Sequence, residues 1–547
     1  MPHKVYIGYK GIFGNEPFSE SDFLKKIPLR LAIGVCSRIG SMLYLRQNEN
    51  HIQAALLDFL IRRQNIQVKS LLINNARNYL NGGGQIFLSL YLNAFLKYCL
   101  ENCKDFEYND SDITNDLLIF KNYLIQADKL NYGFSISLES KDQNDFFRKN
   151  NWPIYIGQIH HNIELNPLTA FFKGILILDF FKKSEEWTEN YKKYLEHYEV
   201  SNHTHFLQIL MQFIMEAVTK KDQFFIKTDP FGIKFFSNFE FNIDKYKSSK
   251  DKDLYILENP LFNSGDDIFM VLNYNYLTNK LFHGVIFDFF KRLNTKNKNF
   301  IEYKSKIGDL FIEKNLFRRI IKTIFKENFY KIHFEYKVQN NFPDALIIRK
   351  NRVFIFEIKD SLLSSNAIQS RDYIVIEKEV DKFFVQGKGV NQIGKFIDKI
   401  ANGDNPIIQD HGLILSKIEI IPIIIYTDDS FDLPGVGDYL NKEFQTQLKN
   451  GSDFKKINDV LFINFDFLIE YMDVLQSGTA SFERSIIKIY SLMRKRRRLS
   501  ERKKTIEHLD KYHQKFDQYY HSVNTVDEKR ESYVEFVYTE LGIKDSF

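Results

Sequence analysis

The chain has 547 residues, 44% of them apolar and 27% charged, which fits folded globular domains and excludes low-complexity or collagen-like chains. Three cysteines exclude a disulfide framework, and no stretch is apolar enough to span a bilayer. The net charge of +5 comes from one segment: residues 494–504 carry eight bases and one acid, a local +7 that leaves the remainder near −2.

The start, MPHKVYIGYK, has no signal-like apolar region, so a cytoplasmic, reducing location without a membrane partner is expected. The length allows two or three domains. Residues 1–293 read as a mainly helical domain. Apolar residues recur at three- and four-residue spacing over 51–63, 88–101, 116–130, 168–198 and 206–220. Shorter strand-like runs fall at 134–138, 153–159, 224–226 and 268–272. Gly82-Gly83-Gly84 lacks the following Lys-Ser/Thr of a phosphate loop and reads as a loop or a helix boundary. His197, His203 and His205 lie between two helical stretches without further zinc ligands in view, and read as a solvated loop. This first domain carries no chemical signature; sensing, target recognition and oligomerisation are its open roles.

The polar run 294–299 marks a domain boundary. Beyond it, Leu310, Phe311, Phe317, Ile320, Ile321 and Phe325 form an apolar helical stripe, and 329–338 reads as a strand. Next comes FPDALIIRKNRVFIFEIKDS, residues 342–361. Two apolar runs flank a polar centre, the pattern of two buried strands joined by a tight turn. A turn centred between Lys350 and Asn351 pairs residues whose numbers add to 701, which sets Asp344 opposite Glu357 on one face. Alternation adds Lys359 to that face. Two carboxylates ~5 Å apart repel by roughly 3 kcal/mol at an effective dielectric of about 20. A hard divalent cation would remove that penalty, and so would a salt bridge to Lys359; the spacing alone leaves both open.

A helix follows over KGVNQIGKFIDKI, residues 388–400, with Val390, Ile393, Phe396, Ile397 and Ile400 on one face. Residues 417–426, KIEIIPIIIY, read as a strand buried on both faces, with Pro422 arguing for a bulge or an edge. Asp428 and Asp429 read as turn caps. A strand at 460–465 and a helix at 466–475 complete a domain over 300–480. Residues 481–547 read as a charged helical extension.

Pro343-Asp344 followed by Glu357-Ile358-Lys359 at the end of an apolar strand resembles the PD-(D/E)xK nuclease superfamily. The resemblance covers about residues 300–480. A second Glu-x-Lys, at 335–337, lacks the Pro-Asp partner. The resemblance implies an α/β restriction-endonuclease-like core, a mixed sheet flanked by helices, between the helical N-terminal domain and the basic extension. It implies a metal-dependent nuclease, DNA ahead of RNA and endonuclease ahead of exonuclease. Mg²⁺ or Mn²⁺ would be held by Asp344, Glu357 and the Ile358 carbonyl, with Lys359 acting on the attacking water. Glu313, on the helix before the sheet, is the acid that the superfamily places near the metal, with Asp309 second. Gln392 matches the Gln that one branch carries on the following helix, although Phe396 stands where that branch has Tyr. Arg494, Lys495, Arg496, Arg497 and Arg498 are expected to grip nucleic-acid phosphates. A helical domain joined to such a nuclease fits an effector of prokaryotic defence, with a homo-oligomer or a regulatory protein as further partners. The alternative is a silent nuclease-like scaffold that binds nucleic acid without cutting it.

Overall fold

The computed structural model describes residues 7–15, 27–106, 113–132, 143–162, 165–220, 224–293, 299–335, 342–370, 372–403, 406–448, 453–503, 505–526 and 533–543. The chain separates into two compact units: residues 1–135 with 161–296, and residues 136–160 with 297–547. Among the described residues no helix is long and apolar enough to cross a membrane.

The first unit is helical apart from a three-stranded antiparallel sheet in which Ile268–Val271 lies between Phe225–Lys227 and Leu261–Gly265. One core cluster joins its amphipathic helices, among them Leu29–Leu43, Asn50–Ile61 and Ser89–Asn102. Cys36, Cys99 and Cys103 are buried free thiols. The helical expectation at 168–198 is corrected in one respect. The stretch forms two helices, Pro167–Lys183 and Thr188–Tyr198, because Ser184 closes the first and a turn precedes the second. Gly82 closes the helix Ile66–Asn81, its N–H bonded to Asn78 O. The strand-like run 134–138 and the 336–337 part of the second Glu-x-Lys lie outside the described residues.

The run 153–159 is also corrected: it lies within the helix Gln143–Asn162. Trp152 and Ile156, one turn apart, are buried, and Trp152 Nε1 donates to Pro434 O at 2.8 Å. That packing outweighs the helix-breaking tendency of Pro153. Through His160 this helix belongs to the second unit.

The second unit is built on a six-stranded mixed sheet. Its strands are β1 (Lys331–His333), β2 (Ala345–Arg349), β3 (Arg352–Lys359), β4 (Glu419–Tyr426), β5 (Lys456–Ile457) and β6 (Leu461–Asn464). The first three are antiparallel, and β4 joins β3 in parallel through a helical crossover. That crossover carries α1 (Tyr373–Phe384) and α2 (Val390–Ala401). After β4 come α3 (Val436–Gln447) and, beyond the sheet, α4 (Phe482–Lys503). The outcome is α/β with a large helical part.

Pro422 lies in the middle of a central strand, not at a bulge or an outer edge. Along β4, Glu419 N–H reaches Asn351 O on the β3 side, while Ile418 O and Ile420 O accept from the β5 side. Alternation therefore points the Pro422 nitrogen away from β3. On that side β5 pairs up to Ile420 and β6 begins at Ile423, so the ring nitrogen faces a seam with no ladder bond to lose.

Candidate active site

The β2–β3 hairpin has the register read from the sequence. Ala345 pairs with Phe356 and Arg349 with Arg352, with the turn at Lys350-Asn351. Lys350 takes φ 52°, a left-handed conformation that only the tightness of the turn warrants in a side chain of this size. The apolar stretches Ala345–Ile348 and Val353–Phe356 are buried. Asp344 precedes β2 and so faces Glu357.

Asp344 Oδ2 accepts the Ile358 backbone N–H at 2.8 Å, replacing a ladder bond just past the end of β2. In this strand N–H and C=O of one residue point to the same edge, so the Ile358 carbonyl also opens toward Asp344. Lys359 Nζ donates to Glu357 Oε2 at 2.9 Å. Glu357 is 3% exposed. The ion pair considered at the sequence level is therefore real and buried, and it does not use up the acids. Asp344 and Glu357 act on one another electrostatically, each influencing how readily the other holds a proton. Burial first, and the Asp344 charge second, push the Glu357 carboxyl up to about 8. Burial also raises Asp344, against the pull of Lys359 and the Ile358 N–H. Burial disfavours the Lys359 ammonium, but Glu357, Asp344 and Glu313 hold it above its ordinary range.

Glu313 reaches this group from a π-helical stretch, Ile307–Phe317, set between the α-helical segments Phe300–Lys306 and Arg318–Ile324. Burial, then the charges of Asp344 and Asp309, raise Glu313 to about 7. Asp309 itself is exposed and bonded to Lys314. Two neighbours escaped the sequence reading. Arg318 offsets the negative charge of both Asp344 and Glu313. Asp360, beyond the end of β3, is held by Lys304 and accepts from Thr427 Oγ1 at 2.7 Å. The only signal for Asp360 was its place directly after Glu-Ile-Lys.

Other residues singled out from the sequence have local partners. Gln392 Oε1 accepts the Gly389 N–H at 3.1 Å and caps α2. Gly389, at φ 51°, has Phe384 O where a Cβ would stand, which fixes that cap. Asp428 accepts from the Leu363 and Ser430 N–H groups and Asp429 from Asn464, as turn caps do. In the first unit His203 is 1% exposed and its Nδ1 bonds the Tyr191 hydroxyl, so it is a core residue and not part of a solvated loop.

The basic run is split by its helix. Arg497 is turned inward, donating to the Tyr512 hydroxyl at 2.8 Å and to Asp459 at 3.0 Å. Arg496 bonds Lys511 O and Gln514 and lies over the Tyr519 ring. These two corrections follow from helical phase: both lie on the side of α4 that carries contacts to the rest of the unit. Arg494, Lys495 and Arg498 remain exposed.

Among the described residues no group of three His, Cys, Asp or Glu side chains is drawn together as a closed metal cage. The oxygen set of Asp344, Glu357 and the Ile358 carbonyl nevertheless suits Mg²⁺ or Mn²⁺, which bind through one or two carboxylates and keep several waters. Comparison with protein-family models, curated proteins and solved structures returned no match to this chain.

Proposed function

We propose that the chain is a metal-dependent nuclease of the PD-(D/E)xK kind. The supporting observation is the pair of buried carboxylates, Asp344 and Glu357, facing each other across a hairpin end with Lys359 beside them. Like charges at that spacing favour protonation of one carboxyl, and a bound cation relieves the same repulsion. Strand order β1-β2-β3-β4, antiparallel and then parallel, with helices before and between, is compatible with a restriction-endonuclease-like core.

Asp344, Glu357 and the Ile358 carbonyl would hold Mg²⁺ or Mn²⁺, which supplies charge to polarise a scissile phosphate and to acidify a bound water. Lys359 holds that water, or a non-bridging phosphate oxygen, at the open edge of β3. Glu313, poised near neutrality, accepts the water's proton or steadies the water. Arg318 limits the negative charge that an incoming phosphate meets. DNA stands ahead of RNA and internal cleavage ahead of end-wise cleavage. A role in prokaryotic defence, with the first unit as sensor, target reader or oligomer contact, is the wider setting.

Wild-type protein and Lys359→Ala, each incubated with DNA or RNA plus Mg²⁺ or Mn²⁺, test this reading. The wild type is expected to cleave and the variant to lose at least about 100-fold in rate, the scale of a lost acid–base or electrostatic group. Equal cleavage by both, or cleavage that survives excess EDTA, sinks it. One observation favours the silent-scaffold alternative: Lys359 already neutralises Glu357 without a metal. Binding of nucleic acid that ignores divalent cations, with no cleavage under any condition, would select that alternative.

A further inference from the structure

The exposed part of the basic run continues beyond the cluster visible in the sequence. At 3.6 residues per turn, Arg484, Arg494, Lys495, Arg498 and Arg502 fall within an arc of about 100° on α4. All five are exposed, and none has an acidic partner among the described residues. From Arg484 to Arg502 the row spans roughly 27 Å at ~1.5 Å per residue. A duplex advances ~3.4 Å along its axis per base-pair step, so the row is as long as about eight steps. At its N-terminal end the row meets the tip of the catalytic hairpin, where Lys350, Lys417 and Lys455 border the same groove as Arg484. The acids there are already committed: Glu483 to Arg349 and Arg352, and Glu419 to Arg352 and Lys456.

We propose that this face of α4, with the lysines at the hairpin tip, is a non-catalytic track for the backbone of duplex nucleic acid. The proposal deepens the nuclease reading by supplying a substrate grip at the opposite end of β3 from the acids. From Arg352, at the tip, to Glu357 is ~17 Å along the strand. A helix lying on a membrane needs a free apolar face beside its basic one. In α4 the apolar side chains Ile486, Ile489 and Tyr490 are buried, leaving Ile487 as the exposed aliphatic neighbour of the row. No aromatic ring stands on the row, so single-strand stacking is not its mode. The cluster Arg494, Lys495, Arg498 and Arg502, with Glu501 as its one acidic neighbour on the helix and Arg484 ten residues before it, carries charge without a base-reading arrangement and matches a sequence-independent phosphate grip.

The test is the affinity of the full chain for a labelled 30-base-pair duplex in EDTA, read by anisotropy at several salt concentrations. The variant Arg494→Ala/Lys495→Ala/Arg498→Ala/Arg502→Ala is expected to bind at least ~10-fold more weakly at 100 mM salt, with a log–log salt slope shallower by about three. A single charge reversal, Arg498→Glu, should weaken binding several-fold and guards against misfolding of the fourfold variant. Lys417→Ala/Lys455→Ala should weaken it less. Unchanged affinity and slope in a fourfold variant that melts like wild type overturns the track. So does binding to phosphatidylserine vesicles, or to a polyglutamate peptide, in place of DNA. Failure of the two proposals is distinguishable. A wild type that binds duplex through this row but never cuts it sinks the nuclease reading alone. Cleavage with an unchanged KM in the fourfold variant sinks the track alone.

Discussion

Asp344 combines two duties that a substitution can separate. Its Oδ2 satisfies the Ile358 N–H, and its charge opposes that of Glu357. Asp344→Asn keeps an acceptor for Ile358 and gains a donor for Glu357, while removing the like charge. The metal-free Asn variant is therefore expected to melt at or above the wild-type temperature at pH 8 and to lose its response to Mg²⁺. Asp344→Ala leaves the Ile358 N–H unmet and should cost about 1–3 kcal/mol. Thermal melts with and without Mg²⁺ check both; a lower metal-free melting temperature in the Asn variant would contradict the facing-acid geometry. These pairings were legible in the sequence because strand periodicity is two and the turn was short. Neither feature indicates how deeply a carboxylate is buried. The raised proton affinities of Glu313 and Glu357 come first from burial, and then from Asp344.

The elements differ in how far the chain announces them. The strand 419–426 is evident from its apolar run, but the tolerance of Pro422 depends on where β5 stops and β6 starts. In sequence the π-helical stretch has the pattern of ordinary helix, since its hydrogen-bond register is a tertiary outcome. Composition likewise marked 494–498 as one basic block, whereas helical phase assigns its members opposite duties. Arg497→Ala breaks bonds to Asp459 and Tyr512 and should destabilise the second unit by about 2 kcal/mol. Arg498→Ala, at an exposed position, should stay within about 0.5 kcal/mol of wild type. Chemical denaturation of the two variants distinguishes them, and equal losses would refute the inward-outward division of α4.

At the scale of the whole molecule, the two units have separate cores, and the acids lie in one of them. A ligand that binds one folded unit stabilises that unit by mass action. Mg²⁺ at tenfold its dissociation constant should therefore raise the transition of the second unit by about 1.4 kcal/mol and leave the first unmoved. Scanning calorimetry with and without the ion reads this directly; no shift, or a shift confined to the first unit, would argue against the proposed site. The linear division at 293, 300 and 480 and the spatial division do not coincide. The helix Gln143–Asn162 is largely in the second unit, and the C-terminal helices share its core. Such long-range returns leave no local mark in composition.

Pro422 also acts as a guard on alignment. If β4 slid by one residue against β3, every edge of the strand would exchange sides, and the ring nitrogen would be turned from its seam into the β3 ladder. The misaligned sheet would lose a backbone bond that the correct one never needed. One ring in a neighbouring strand thus rejects the slipped arrangement and helps keep Glu357 and Lys359 in place, without touching either of them.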